Sequence, residues 1–193
     1  MLQHKHEALW PEALSITKEI KDEADRSLAL HGMAQHMAAF WPEAISLTRE
    51  INDESARAWA LSVMAQHMPE ALWPEALSLT REIKDESARA WALSEIAQHM
   101  PEALWSEAIA ILWSVQDKYY SAQALQGCLP HFESLTSTFS DWEKALDILA
   151  YQNRSELIKL LPTIRPIVIR LGEDEETFSD VLQAMRDVCQ QWP

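Results

Sequence analysis

Histidine returns at one place all along this chain: His4, His36, His67, His99 and His131. Imidazole is a common metal ligand and titrates near neutral pH, so the ladder raises both a metal site and a proton switch. A metal holds its ligands about 2 Å away, whereas packed helices repeat about 10 Å apart, so these rings do not share one ion. His4 and His6 form a pair too common in sequences to weigh. A histidine in the last turn of a helix faces the negative end of the dipole, which is the simpler role. No metal ligand is nominated.

Carboxylates recur in two further ladders, Glu12, Glu43, Glu75 and Glu107, and Glu19, Glu50 and Glu82. Paired carboxylates do acid–base work when burial shifts their pKa values. Here Lys18, Arg49 and Arg81 stand beside them, the pattern of a solvated charged face. There is no G-x-S-x-G elbow, phosphate-cradling glycine loop or H-E-x-x-H. Cys128 and Cys189 stand far apart in no metal or redox spacing, and Cys128 takes the place of Ile96 in the preceding repeat, a core position. Catalytic residues and cofactors are therefore expected to be none, and the cysteine usage fits a reduced, cytoplasmic setting.

The net charge of −14 argues against a nucleic-acid partner and against anionic membrane surfaces. No apolar run approaches the ~20 residues that span a bilayer. Only Gly32, Gly127 and Gly172 are glycines, few for turn-rich β architecture, while Leu, Ala, Glu and Gln are plentiful. An all-α fold is expected.

Tryptophan marks the elements. Trp10, Trp41, Trp73 and Trp105 open the phrases "WPEALSITKEI", "WPEAISLTREI", "WPEALSLTREI" and "WSEAIAILWSV", at spacings of 31, 32 and 32. Each is followed by a second phrase, such as "KDESARAWALSEIAQHM". The units Trp41–Leu72 and Trp73–Leu104 differ at four positions only: Ile45/Leu77, Asn52/Lys84, Val63/Glu95 and Met64/Ile96. Such a period is the signature of a repeat array.

Each unit predicts a helical hairpin. Pro74 and Glu75 suit a helix start, and Ala76, Leu79, Thr80 and Ile83 form one apolar stripe. Asp85 is placed to cap the second helix, with Asp22, Asp53 and Asp117 in the same register. Arg89 lies one turn beyond Asp85, in the favourable acid-before-base order. Ala90, Leu93, Ile96, Ala97 and Met100 make the second apolar face, and Pro69 and Pro101 end their helices. A single hairpin cannot bury both stripes, but stacked neighbours can.

The expected architecture is an all-α, right-handed αα-superhelix (α-solenoid) of about four and a half helical hairpins with a C-terminal capping helix. Residues 1–9 read as the tail of a truncated repeat, because "QHKHEALW" matches "QHMPEALW" of later units at six of eight positions. Residues 10–135 hold four repeats (10–40, 41–72, 73–104 and 105–135). Residues 136–193 hold a degenerate fifth hairpin around Trp142 and a capping helix from Thr177 to Trp192. The first hairpin then lacks an N-terminal neighbour over Ala13, Leu14, Ile16, Thr17 and Ile20, a face suited to self-association.

One patch is suited to a partner. Trp59 and Trp91 lie off the core stripe among Ser62, Ser94, Glu95 and Gln98, on a face that varies between units. Position 91 is Leu28, Trp59, Trp91 and Gln123, and position 95 is Gly32, Val63, Glu95 and Gly127. Aromatics among polar residues anchor protein interfaces. The alternative is that each indole folds over the neighbouring hairpin and is buried in the array.

The "WPEALSLTREI" helix resembles the second helix of tetratricopeptide repeats, with Trp73 and Ala76 in the aromatic and small positions. It departs from that family in its period of 32, in Thr80 in place of a later aromatic, and in lacking a Leu-Gly pair. The whole is similar to degenerate TPR/HEAT-like arrays of bacterial signalling proteins. That resemblance implies a protein-interaction or sensor module within a larger signalling protein, binding a protein or peptide. An enzyme on a HEAT-like scaffold, such as a chromophore lyase, and a structural spacer are the alternatives.

Overall fold

Trp-Pro-Glu starts a helix wherever it occurs, because the proline N–H would be unpaired in the first turn anyway and the acid meets the positive dipole end. The computed structural model describes residues 9–34 and 40–128, together with Lys144, Ala145, Asp147, Ile148, Ser179 and Gln183, all six of them helical. The first helices of the units are α1 (Trp10–Glu19), α3 (Trp41–Arg49), α5 (Trp73–Glu82) and α7 (Trp105–Leu112). The second helices are α2 (Glu23–Ala34), α4 (Glu54–Ala65), α6 (Glu86–Ala97) and α8 (Lys118–Cys128). No strand occurs among the described residues, and no helix among them is long and apolar enough to cross a membrane. Apart from those six residues the expected fifth hairpin and C-terminal capping helix lie outside the described residues, as do most of the 1–9 tail, His4, His36, His131 and Cys189.

Each second helix starts on its aspartate. Asp53 Oδ1 accepts from the Ala56 amide at 2.7 Å and Asp85 Oδ1 from the Ala88 amide at 2.7 Å. Asp22 and Asp117 do the same for the amides of Asp25 and Tyr119, at 3.0 and 2.8 Å. The caps stand where the sequence placed them. The helix ends do not: α4 and α6 stop at Ala65 and Ala97, before the phrase "QHMPEALW". That phrase forms a turn followed by a short 3-10 helix, Glu70–Leu72 in one unit and Glu102–Leu104 in the next. It is the connector between units and not the last turn of a helix. Pro69 and Pro101 sit at the start of the 3-10 segment with extended backbone, as a proline there favours.

The core is the ladder set. Trp41, Trp73 and Trp105 are buried at the starts of their helices, and Leu61, Leu93 and Leu125 are wholly buried in the second helices. Buried Thr17, Thr48 and Thr80 each return a hydroxyl hydrogen bond to the carbonyl four residues back, at 2.8–2.9 Å, which satisfies them in the apolar stripe. The second helices lie directly against one another, α2 on α4, α4 on α6 and α6 on α8. Alanine lines these contacts (Ala58, Ala60, Ala90, Ala92, Ala122, Ala124, all buried), so the backbones approach closely.

Two side-chain ladders hold unit to unit and loop to helix. Arg26, Arg57 and Arg89 fold back and donate to the carbonyls of Ile20, Ile51 and Ile83, at 2.6–2.7 Å. Arg89 therefore does not pair with Asp85 as the i,i+4 rule suggests. The carbonyl at the end of the preceding helix is otherwise unsatisfied, and the acid beside the Arg89 guanidinium is Glu86, 3.6 Å away. In the fourth unit Ser121 stands in the arginine position and donates to Val115 O at 2.9 Å. The second ladder crosses the joints. Glu23 accepts from the Asp53 amide and from Asn52 Nδ2. Glu54 accepts from the Lys84 amide at 3.1 Å and from the Asp85 amide, and Glu86 from the Gln116 and Asp117 amides at 3.2 and 2.8 Å. Each joint is thus stapled by one carboxylate on the backbone of the following turn.

Candidate functional site

The face of the second helices carries the candidate patch, but it is not one open surface. Trp59 is half-buried, its ring edge-on to His31 of the preceding hairpin with centroids 5.5 Å apart and planes at 60°. Trp91 is half-buried and packs against the core. Ser62 is buried, donating to Trp59 O at 2.8 Å, so it offers nothing to a partner. Ser94 is half-buried beneath α8: a Cβ on Gly127 would stand 2.4 Å from its carbonyl oxygen. Glu95 is half-buried, and exposed Gln98 closes the helix end with its amide 3.4 Å from Ser94 O. The variability of position 95 thus reflects helix spacing as well as solvent exposure. Glycine at 127 admits a close approach that valine or glutamate would not.

The patch opens where α2 and α4 begin. There an open groove of about 730 Å³ is walled by exposed Leu28, half-buried Trp59 and buried Ala56, with Asp22, Asp25 and Asp53 along its rim. Among the described residues lining it, Lys21 is the one cation. Leu28 belongs to the Trp59/Trp91 register, of which the sequence singles out the two tryptophans and not the leucine. A smaller cavity of about 250 Å³ lies beside Trp113, Lys118 and Ser121, where Lys144 Nζ sits 5.9 Å from the Trp113 ring centroid.

Charge at the joints is set by the staples. The Asp53 amide, then the Asn52 backbone and side-chain amides, hold the Glu23 carboxyl below its ordinary value of 4.5. Exposed pairs run along the first helices: Lys18–Glu50 at 2.9 Å, Arg49–Glu75 at 3.2 Å and Arg81–Glu107 at 3.2 Å. They make the solvated face read from the sequence, and pairs this exposed contribute little each.

Nothing among the described residues groups three or more metal-ligating side chains. His67 and His99 are exposed just past the ends of α4 and α6. Cys128 is a buried free thiol, its pKa pushed up to about 12 by burial, so it stays protonated and is no nucleophile at neutral pH. Sequence reading passed over the glutamate ladder and took Arg89 only as a neighbour of Asp85. The signal of both ladders was present: arginine recurs as 26, 57 and 89, and glutamate as 23, 54 and 86. No protein-family model matches this chain, and no curated protein or solved structure compared with it does.

Proposed function

We propose that this chain is a protein-interaction module. It is read as a TPR/HEAT-like, right-handed α-solenoid whose α2–α4 groove takes a basic segment of a partner protein through an apolar anchor. The single observation that carries this reading is the groove itself, an apolar wall of Leu28, Ala56 and Trp59 beneath a rim of three aspartates. On a chain of net charge −14, such a rim favours lysine- or arginine-bearing partners and speeds their encounter. Asp22 and Asp53 cap their helices and line this rim at the same time. Membership of a larger signalling protein and a cytoplasmic setting belong to the same reading, supported by the repeat pattern and by the free thiol in the core.

The test is a peptide array of 15-residue segments in which lysine and arginine flank leucine or phenylalanine, with acidic counterparts as controls. Basic members are expected to bind with an affinity that falls as salt rises, and Leu28→Asp or Asp25→Lys is expected to abolish that binding without loss of helix. Equal binding of acidic peptides, or binding that survives both substitutions, overturns the groove as the site.

A further inference from the structure

The internal joints show what covers one of these hairpins on its N-terminal side, and among the described residues nothing covers the same half-joint of the first hairpin. Ile16 is 58% exposed, while its counterparts Leu47, Leu79 and Ile111 in the following units are at most 6% exposed. A Cβ on Gly32 would meet nothing within 4 Å, whereas its counterpart Gly127 is pressed against Ser94 of the preceding hairpin. The Asp53, Asp85 and Asp117 amides each have a glutamate from the unit before. The equivalent Asp22 amide has no hydrogen-bond acceptor among the described residues, and Lys21 beside it has none either. Apolar contact, helix spacing and backbone donors therefore agree at three separate places on one face.

We infer that this face of α1 and α2 is the receiving half of a joint. Its occupant is a helical hairpin of the same repeat pattern, carrying a glutamate at the start of its second helix. The fourth unit of this chain does not offer that group. In the fourth unit, position 118 is lysine where the others have glutamate, and it pairs with Asp147 at 2.8 Å. The arginine of the first-helix ladder is Trp113 there. A second copy docked through its fourth unit would bring a cation onto the amide donors of Lys21 and Asp22, so the occupant is a glutamate-bearing repeat and not that unit. The inference concerns stacking and does not depend on the groove binding a peptide.

The experiment inserts a copy of Trp41–Leu72 between Leu9 and Trp10 of the full chain, which restores a Leu–Trp junction at both seams. The Asp22 amide is expected to exchange with solvent about tenfold more slowly or better, and α1 and α2 with it. The same insertion carrying Glu54→Lys in the copied unit is expected to leave Asp22 exchanging as in the parent. Ile16→Glu should barely move Tm in the parent and lower it clearly in the inserted chain. Unchanged exchange at Asp22 with a helical insert overturns the proposal. So does an insert that stays unfolded, since the same sequence is helical between its neighbours in the parent. Concentration-dependent dimers of the parent, abolished by Ile16→Glu, would make the occupant a second copy and overturn it equally.

Discussion

Arg89 carries a buried guanidinium onto a carbonyl that no helix can reach, so its removal leaves Ile83 O without a donor. Stranding such a group costs ~1–3 kcal/mol, and Arg89→Ala is expected to lower the urea midpoint accordingly, with the slope unchanged. Arg89→Ser should recover part of the loss, because serine at position 121 already makes the equivalent bond in the fourth unit. Glu23 makes a pH-dependent counterpart. Its folded pKa lies below the ordinary 4.5, so its staple stabilises the fold above the unfolded value and is lost as pH falls through the folded one. An NMR titration should place the Glu23 carboxyl midpoint below 4.5, with the Asp53 amide shift following the same curve. A midpoint at the ordinary value, or an Asp53 amide indifferent to it, would remove the staple.

A hairpin joint is tested best by two glycines that share one repeat position in opposite surroundings. Gly32→Ala adds a methyl group to open space and should stabilise by ~0.5–1 kcal/mol through helix propensity. Gly127→Ala drives its Cβ into the Ser94 backbone, which cannot yield as a side-chain tip would, so overpacking of ~1–3 kcal/mol should outweigh the propensity gain. Thermal denaturation of the pair should show opposite signs. The same comparison marks how far the elements could be read in advance. Helix starts, aspartate caps and apolar stripes were legible, because each is set by residues three or four apart on one segment. The connector "QHMPEALW" and the arginine bonds were not, since both depend on where the preceding helix ends in space. For the candidate patch, the ladder of Leu28, Trp59 and Trp91 was legible. The burial of Ser62 and Ser94 was not, because the distance between neighbouring helices is fixed by alanines and a glycine on other helices.

Along the chain, protection should follow the number of neighbours a hairpin has. Leu93 is wholly buried between covered units, and Leu93→Ala should cost ~2–5 kcal/mol as a core truncation. Hydrogen exchange should be fastest in α1 and α2, where Ile16 and Leu28 face solvent, and slowest through α4–α6. Uniform protection from α1 to α6 would mean that the units open together and that nearest-neighbour energetics do not apply.

The near-identity of the second and third units has a consequence for how the chain finds its order. A first hairpin closing onto the third unit would meet Asp85 for Asp53, Leu79 for Leu47 and the same alanine spacing. Asn52 and Lys84 both offer Glu23 a donor, and Ile45 and Leu77 fill the same volume. Looping out one unit adds little closure entropy, since each doubling of a loop costs only ~0.6 kcal/mol. What penalises the skipped arrangement is the excluded hairpin, left with its stripes in water. Succession along this chain is therefore enforced by connectivity and by completeness, and hardly at all by any side chain that tells one neighbour from the next.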